Sequence, residues 1–179
     1  MSFRSEIRAR IGWDWDDGTK DISKLNYEET LLSTDTTTTA EAVWHDESRA
    51  LLEDASDLFD LSSMVRTVLG DVTHTTSFRR IKAIEVSNLS TTGGKLVIGN
   101  SPYDAWWGPF GSASDTLEVP LDSAILLVNR VAGWPVTWLG AGSSSSSGDG
   151  ITDRMLRITA SGGAVTYSIA IVGKTTADA

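Results

Sequence analysis

The chain has 179 residues, 40% of them hydrophobic and 22% charged, with 16 Gly, 4 Pro, no Cys and a net charge of −9. That length suits one domain, or one domain plus an arm, and buries roughly 70% of the unfolded surface; wholesale disorder, a disulfide scaffold and any thiolate-dependent site are excluded. The acidic balance argues against coating nucleic acid, because phosphate is bound through Lys and Arg. No apolar run approaches a membrane span, and the charged opening Met1-Ser2-Phe3-Arg4-Ser5-Glu6 lacks the apolar stretch of a signal peptide.

Residues 1–40 differ from the rest. They carry the cluster Trp13-Asp14-Trp15-Asp16-Asp17-Gly18, in which Asp17-Gly18 reads as a turn, and a polar run from Ser33 to Thr39. From Trp13 to Asp60 acids dominate, and the bases are only Lys20, Lys24 and Arg49. Residues 1–40 are therefore expected to form an extended N-terminal arm, and residues 41–179 a β-sandwich domain. A flexible Gly/Ser loop at 142–150 holds five consecutive serines, Ser143 to Ser147.

Within the body, residues 42–45 and 57–61 predict two strands. The window 61–69 is the one helical candidate: Ser62 could cap it, Gly70 could end it, and Leu61, Val65, Val68 and Leu69 share a helical face. Residues 81–86 alternate at period two, and 95–98 are short and β-branched between glycines. Residues 116–119 alternate up to Pro120. Residues 125–128 (Ile-Leu-Leu-Val) are continuously apolar, as in a strand buried on both faces. Residues 134–138 alternate, which puts Trp134 and Trp138 on one face. Residues 155–159 and 165–172, joined by Ser161-Gly162-Gly163, read as a hairpin. Short strands at roughly ten-residue spacing, with turn signals between them, predict an antiparallel all-β sandwich or barrel.

Groups that carry chemistry are sparse. His45 and His74 each lack two further ligands at workable spacing, so no metal site is expected. Asp14, Asp16 and Asp17 alternate like the start of a calcium loop, but the closing Glu is missing. There is no phosphate-binding glycine loop and no nucleophile elbow. The expectation is no enzyme, no catalytic residue and no cofactor.

The unusual feature is seven tryptophans, at 13, 15, 44, 106, 107, 134 and 138. Trp106-Trp107-Gly108-Pro109-Phe110 is a loop bracketed by Pro102 and Pro109, and both tryptophans do not easily share one core. Aromatic residues are enriched at interfaces. Trp13, Trp15, Trp106, Trp107 and Phe110 are therefore the candidates for contact with a partner. A sugar-stacking role for Trp106, Trp107 and Trp138 is the competing reading.

The order of motifs adds a resemblance. It runs through Trp44-His45-Asp46-Glu47-Ser48-Arg49, Leu58-Phe59-Asp60-Leu61 and Phe78-Arg79-Arg80-Ile81. It continues through Leu96-Val97-Ile98-Gly99, Trp106-Trp107-Gly108-Pro109-Phe110-Gly111 and Gly133-Trp134-Pro135-Val136, and ends on Tyr167-Ser168-Ile169-Ala170-Ile171-Val172-Gly173. Over roughly residues 40–173 this resembles a family of small β-sandwich virion structural proteins, of the head decoration or cement kind, from tailed bacteriophages. Where that family commonly has Pro-Gly, this chain has Pro120-Leu121.

The resemblance implies a jelly-roll-like sandwich in a virion, assembled in the host bacterial cytoplasm. It implies binding to the major capsid protein or other virion proteins, and to copies of itself, with a trimer favoured, and no nucleic-acid or membrane partner. A neck or tail position, or an adhesin with a carbohydrate-binding sandwich, is the alternative.

Overall fold

Buried and less buried side chains alternate most regularly over residues 155–161. The computed structural model describes residues 6–16, 21–33, 42–68, 72–129, 131–136 and 153–175, and no helix occurs among them. In chain order the strands are β1 (Glu6–Asp16), β2 (Asp21–Ser33), β3 (Ala42–Leu51), β4 (Ser56–Asp60), β5 (Met64–Val68), β6 (Val72–Thr76) and β7 (Arg80–Asn88). Then follow β8 (Lys95–Gly99), β9 (Thr116–Val119), β10 (Ser123–Val128), β11 (Trp134–Pro135), β12 (Met155–Ser161) and β13 (Val165–Lys174). The expected turn at Asp17-Gly18, the threonine run, Trp138 and the loop 142–150 lie outside the described residues.

The body is an all-β sandwich. One sheet has the order β10-β7-β13-β3, with β11 also on β7; the other has the order β4-β12-β8-β9. All pairings are antiparallel. Successive strands switch between these sheets at β3 to β4, β7 to β8, β9 to β10, β11 to β12 and β12 to β13. Both sheets turn their apolar faces into one core, with Trp44, Tyr167, Ile169 and Ile171 from the first and Phe59, Leu96, Leu156 and Ile158 from the second. Each such side chain contributes about 1.5–3 kcal/mol on full burial. Trp44 and Phe59 meet edge to face at 5.6 Å.

Three expectations change. The residues after Gly162 do not return as a hairpin partner: β12 and β13 lie in different sheets. At the crossing Gly162 and Gly163 take φ of 78° and 147°. The carbonyls of Gly163 and Ser161 also pass within 2.5 Å of where a Cβ on Gly94 would sit, so backbone segments pack directly on each other.

The part of the window 61–69 that is described, residues 61–68, is not helical. Asp60 Oδ1 accepts from the Ser62 N–H and hydroxyl, and Ser63 N–H donates to the Asp60 carbonyl, which makes a tight turn. The chain then runs straight into β5, where Met64 is buried and Val65 exposed. A two-turn helix is marginal alone, whereas pairing with β6 engages all five β5 residues.

Residues 125–128 are not covered on both faces. Among the described residues strand β10 pairs with β7 alone and ends that sheet, with Leu126 38% exposed.

Strand β7 is the sheet's buried centre. A register shift opposite Val172 and Gly173 puts Ile81, Lys82, Ala83 and Ile84 all out of solvent. Ala83 and Val172 form a small second cluster against Val128. Within residues 1–40, β1 and β2 pair with each other as a separate two-stranded sheet, with Trp13 opposite Leu25 and Trp15 opposite Ile22.

Candidate functional site

The best-defined feature for contact is the loop between β8 and β9. It leaves β8 through Gly99 at φ 108° and Asn100 at φ 51°. A Cβ on Gly99 would lie 2.5 Å from the Asp115 carbonyl oxygen, so the two ends of the loop close on glycine backbone. The middle is tied to β12: Trp106 N–H donates to the Met155 carbonyl, and the N–H groups of Arg154 and Met155 donate to the Asp104 carbonyl. Ala105 bridges Met155 in parallel.

The two adjacent tryptophans go opposite ways. Trp106 is 2% exposed, and its indole N–H donates to the Pro135 carbonyl at 3.0 Å. It meets Phe110 at 6.5 Å and Trp134 at 6.2 Å, both nearly perpendicular, an arrangement favoured by the ring quadrupoles. Gly108 allows this packing, because a Cβ there would stand 2.5 Å from the Trp134 Cβ. Trp106 is thus an anchor of the loop and offers no face to a partner. Phe110 is half-buried against the same cluster.

Trp107 is 39% exposed, and Tyr103 on the same loop is 72% exposed. Beside them, burial pushes the Asp153 carboxyl up, a hydrogen bond from Trp107 opposes this, and the nearby Asp104 charge adds to the rise. The outcome is a loop tied by backbone hydrogen bonds to β12 that presents two aromatic rings next to acids. Sequence reasoning missed Tyr103; the signal was an aromatic residue placed directly after Pro102.

The other candidates fall elsewhere. The backbones of Trp13 and Trp15 lie in β1, outside the sandwich sheets. His45 is half-exposed on β3, with Nδ1 3.8 Å from Glu47. His74 sits in β6 opposite Arg66. Among the described residues no three His, Cys, Asp or Glu side chains gather to hold a metal ion.

Recesses also mark the described surface, two of them as follows. One, of about 440 Å³, lies between Leu52, Leu89, Thr91 and Thr166. The second, of about 280 Å³, is lined by Asp60, Ser62, Ser77, Arg79 and Arg154. There the buried Arg154 Nε has no hydrogen-bond partner among the described residues and stands 3.8 Å from Asp60, while its Nη2 is 3.5 Å from Asp104.

A polar seam joins the two sheets at the β3 edge. Arg49 Nε donates to Asp57 Oδ2 at 2.8 Å and Arg49 Nη1 to Asp46 Oδ2 at 2.9 Å. The Tyr167 hydroxyl donates to Asp57 Oδ2 at 2.6 Å. Arg49 also lies over the Phe59 ring at 5.1 Å. Burial pushes the Asp57 carboxyl up, but hydrogen bonds from Arg49 and Tyr167 and the Arg49 charge outweigh it and hold it below its usual range. Burial and the Asp57 carboxylate push the Tyr167 hydroxyl well above its ordinary value.

Compared with known proteins, the chain matches no family model, no curated protein and no solved structure.

Proposed function

We propose that this chain is a structural protein of a bacteriophage particle, a decoration or cement protein of the head that binds the major capsid protein and copies of itself. The observation that carries it is the strand order. Sheets β10-β7-β13-β3 and β4-β12-β8-β9, with the chain crossing repeatedly from one sheet to the other (β3 to β4, β7 to β8, β9 to β10, β11 to β12 and β12 to β13), support reading the sandwich as a jelly roll. The resemblance over residues 40–173 points the same way. Rigid loop closure on glycine, with Trp107 and Tyr103 left outside, suits a protein that works by fitting against others. The test is mass spectrometry of purified particles from the phage or prophage that encodes the chain. Many copies per particle support the reading, and absence overturns it.

A second reading has one observation in its favour. Trp107 and Tyr103 share a loop and are both exposed, as sugar-stacking platforms are. An adhesin of this kind binds glycans and loses binding in Trp107→Ala; silence across a glycan array removes it.

A further inference from the structure

The edges of the two sheets are not treated alike. Exposed edges invite pairing with another chain, and proteins blunt them with charge, proline, bulges or short length. Strand β3 carries Asp46, Glu47 and Arg49 and a register shift against β13. Strand β4 has five residues, Asp57 and Asp60 among them. Strand β9 has four, includes Glu118 and stops at Pro120. Strand β10, Ser123–Val128, has no charge, no proline and no register shift against β7.

Its outward backbone groups can be assigned. Asn129 N–H donates to the Lys82 carbonyl of β7. Hydrogen bonding alternates along an antiparallel strand, so Leu127 and Ile125 also face β7. Ala124, Leu126 and Val128 then turn their N–H and C=O groups away from the sheet. Among the described residues none of these groups has a backbone partner. On the solvent face the same stretch leaves Ala124 and Leu126 exposed.

We infer that β10 is a self-association edge, which pairs antiparallel with β10 of a second copy so that the two sheets continue into each other. Self-pairing is favoured over another partner by charge and symmetry. A chain of net charge −9 repels its copies; at the sandwich edges β3, β4 and β9 would set acids against acids, whereas β10 sets none. Antiparallel pairing requires outward-facing residues to meet outward-facing residues. The register that uses all three is centred on Leu126, with Ala124 opposite the second copy's Val128, and it is two-fold symmetric. This deepens the self-binding part of the proposed function, and yields pairs where the family resemblance favours a trimer. It rests on the edge alone, so a sizing result on the isolated protein is independent of whether the chain is found in particles.

The chain has no cysteine, so a single introduced thiol reports cleanly. In this register the two copies' Leu126 Cα atoms lie about 5.5 Å apart, within disulfide range. Under mild oxidation of the full chain, Leu126→Cys is expected to form a covalent dimer at least about tenfold faster than Leu52→Cys, because pairing raises the effective thiol concentration; Leu52 is 77% exposed but lies elsewhere. Light scattering should give the unmodified protein a mass of two copies. Ala124→Pro removes an outward N–H without touching the β7 bonds, and should return it to one copy with its thermal midpoint unchanged. Equal cross-linking rates for the two cysteine variants, or a monomeric or three-copy unmodified protein, would overturn the inference. So would an oligomer indifferent to a folded Ala124→Pro variant.

Discussion

The Tyr167 hydroxyl and the Asp57 carboxylate meet at 2.6 Å across the sandwich, one from the middle of the five-stranded sheet and the other from an edge strand of the four-stranded sheet. Tyr167 is fully buried, and Asp57 also takes the Arg49 guanidinium. The contact therefore locks the β3–β4 edge of the sandwich by a shared acceptor.

Removing the acceptor should cost more than removing one donor. Tyr167→Phe deletes one hydrogen bond and leaves Asp57 held by Arg49, so a loss of about 1 kcal/mol is expected. Asp57→Ala leaves the buried Tyr167 hydroxyl without its acceptor and Arg49 with Asp46 alone, for a loss of about 2–3 kcal/mol. Urea unfolding measures both, and equal losses would contradict the shared-acceptor account.

The same seam sets a pH dependence with a definite sign. The folded state holds the Asp57 carboxyl below its ordinary value. Its stabilisation is present above the unfolded carboxylate pKa of about 3.9 and is lost as pH falls below it. Tyr167 is shifted upward, so its share is present below the unfolded value of about 10 and is lost above it. Unfolding midpoints should drop at both ends, and Asp57→Asn should flatten part of the acid limb.

The adjacent tryptophans should separate cleanly. Trp106→Ala empties a buried site and deletes the bond to Pro135, for about 3–5 kcal/mol. Trp107→Ala, on the exposed side, should stay within about 1 kcal/mol. Thermal unfolding of the two variants decides, and a Trp107 cost as large as that of Trp106 would contradict the opposite placements.

Gly108→Ala tests the closure of the same loop. The added Cβ meets the Trp134 Cβ at 2.5 Å, so a destabilisation of about 1–3 kcal/mol is expected, together with a change in tryptophan fluorescence. An unperturbed Gly108→Ala protein would show that the loop packs otherwise.

Much of the fold was legible because period two survives in most strands: β8, β9, β12 and β13 fall where alternation or β-branched runs predict them. What failed was whatever depends on a neighbour. Ser161-Gly162-Gly163 carries the same glycine signal whether the chain turns back beside itself or crosses to the facing sheet, and only the packing of 161–164 on Gly93 and Gly94 decides. Ile125 to Val128 looks like a central strand because apolar content does not reveal which side lacks a partner. Leu61 to Leu69 has helical spacing and strand composition at once, and β6 settles it by offering hydrogen bonds. At the site, Pro102 and Pro109 mark the loop, but which of Trp106 and Trp107 turns inward is set by Trp134, far along the chain.

The central claim is that this sandwich serves by packing against other proteins in a phage particle. Cryo-electron microscopy of purified particles tests it most directly. The account predicts density for the sandwich on the head in many copies, with the Tyr103 and Trp107 loop or the β10 edge in contact with a neighbouring subunit. Particles that lack the chain altogether would contradict it.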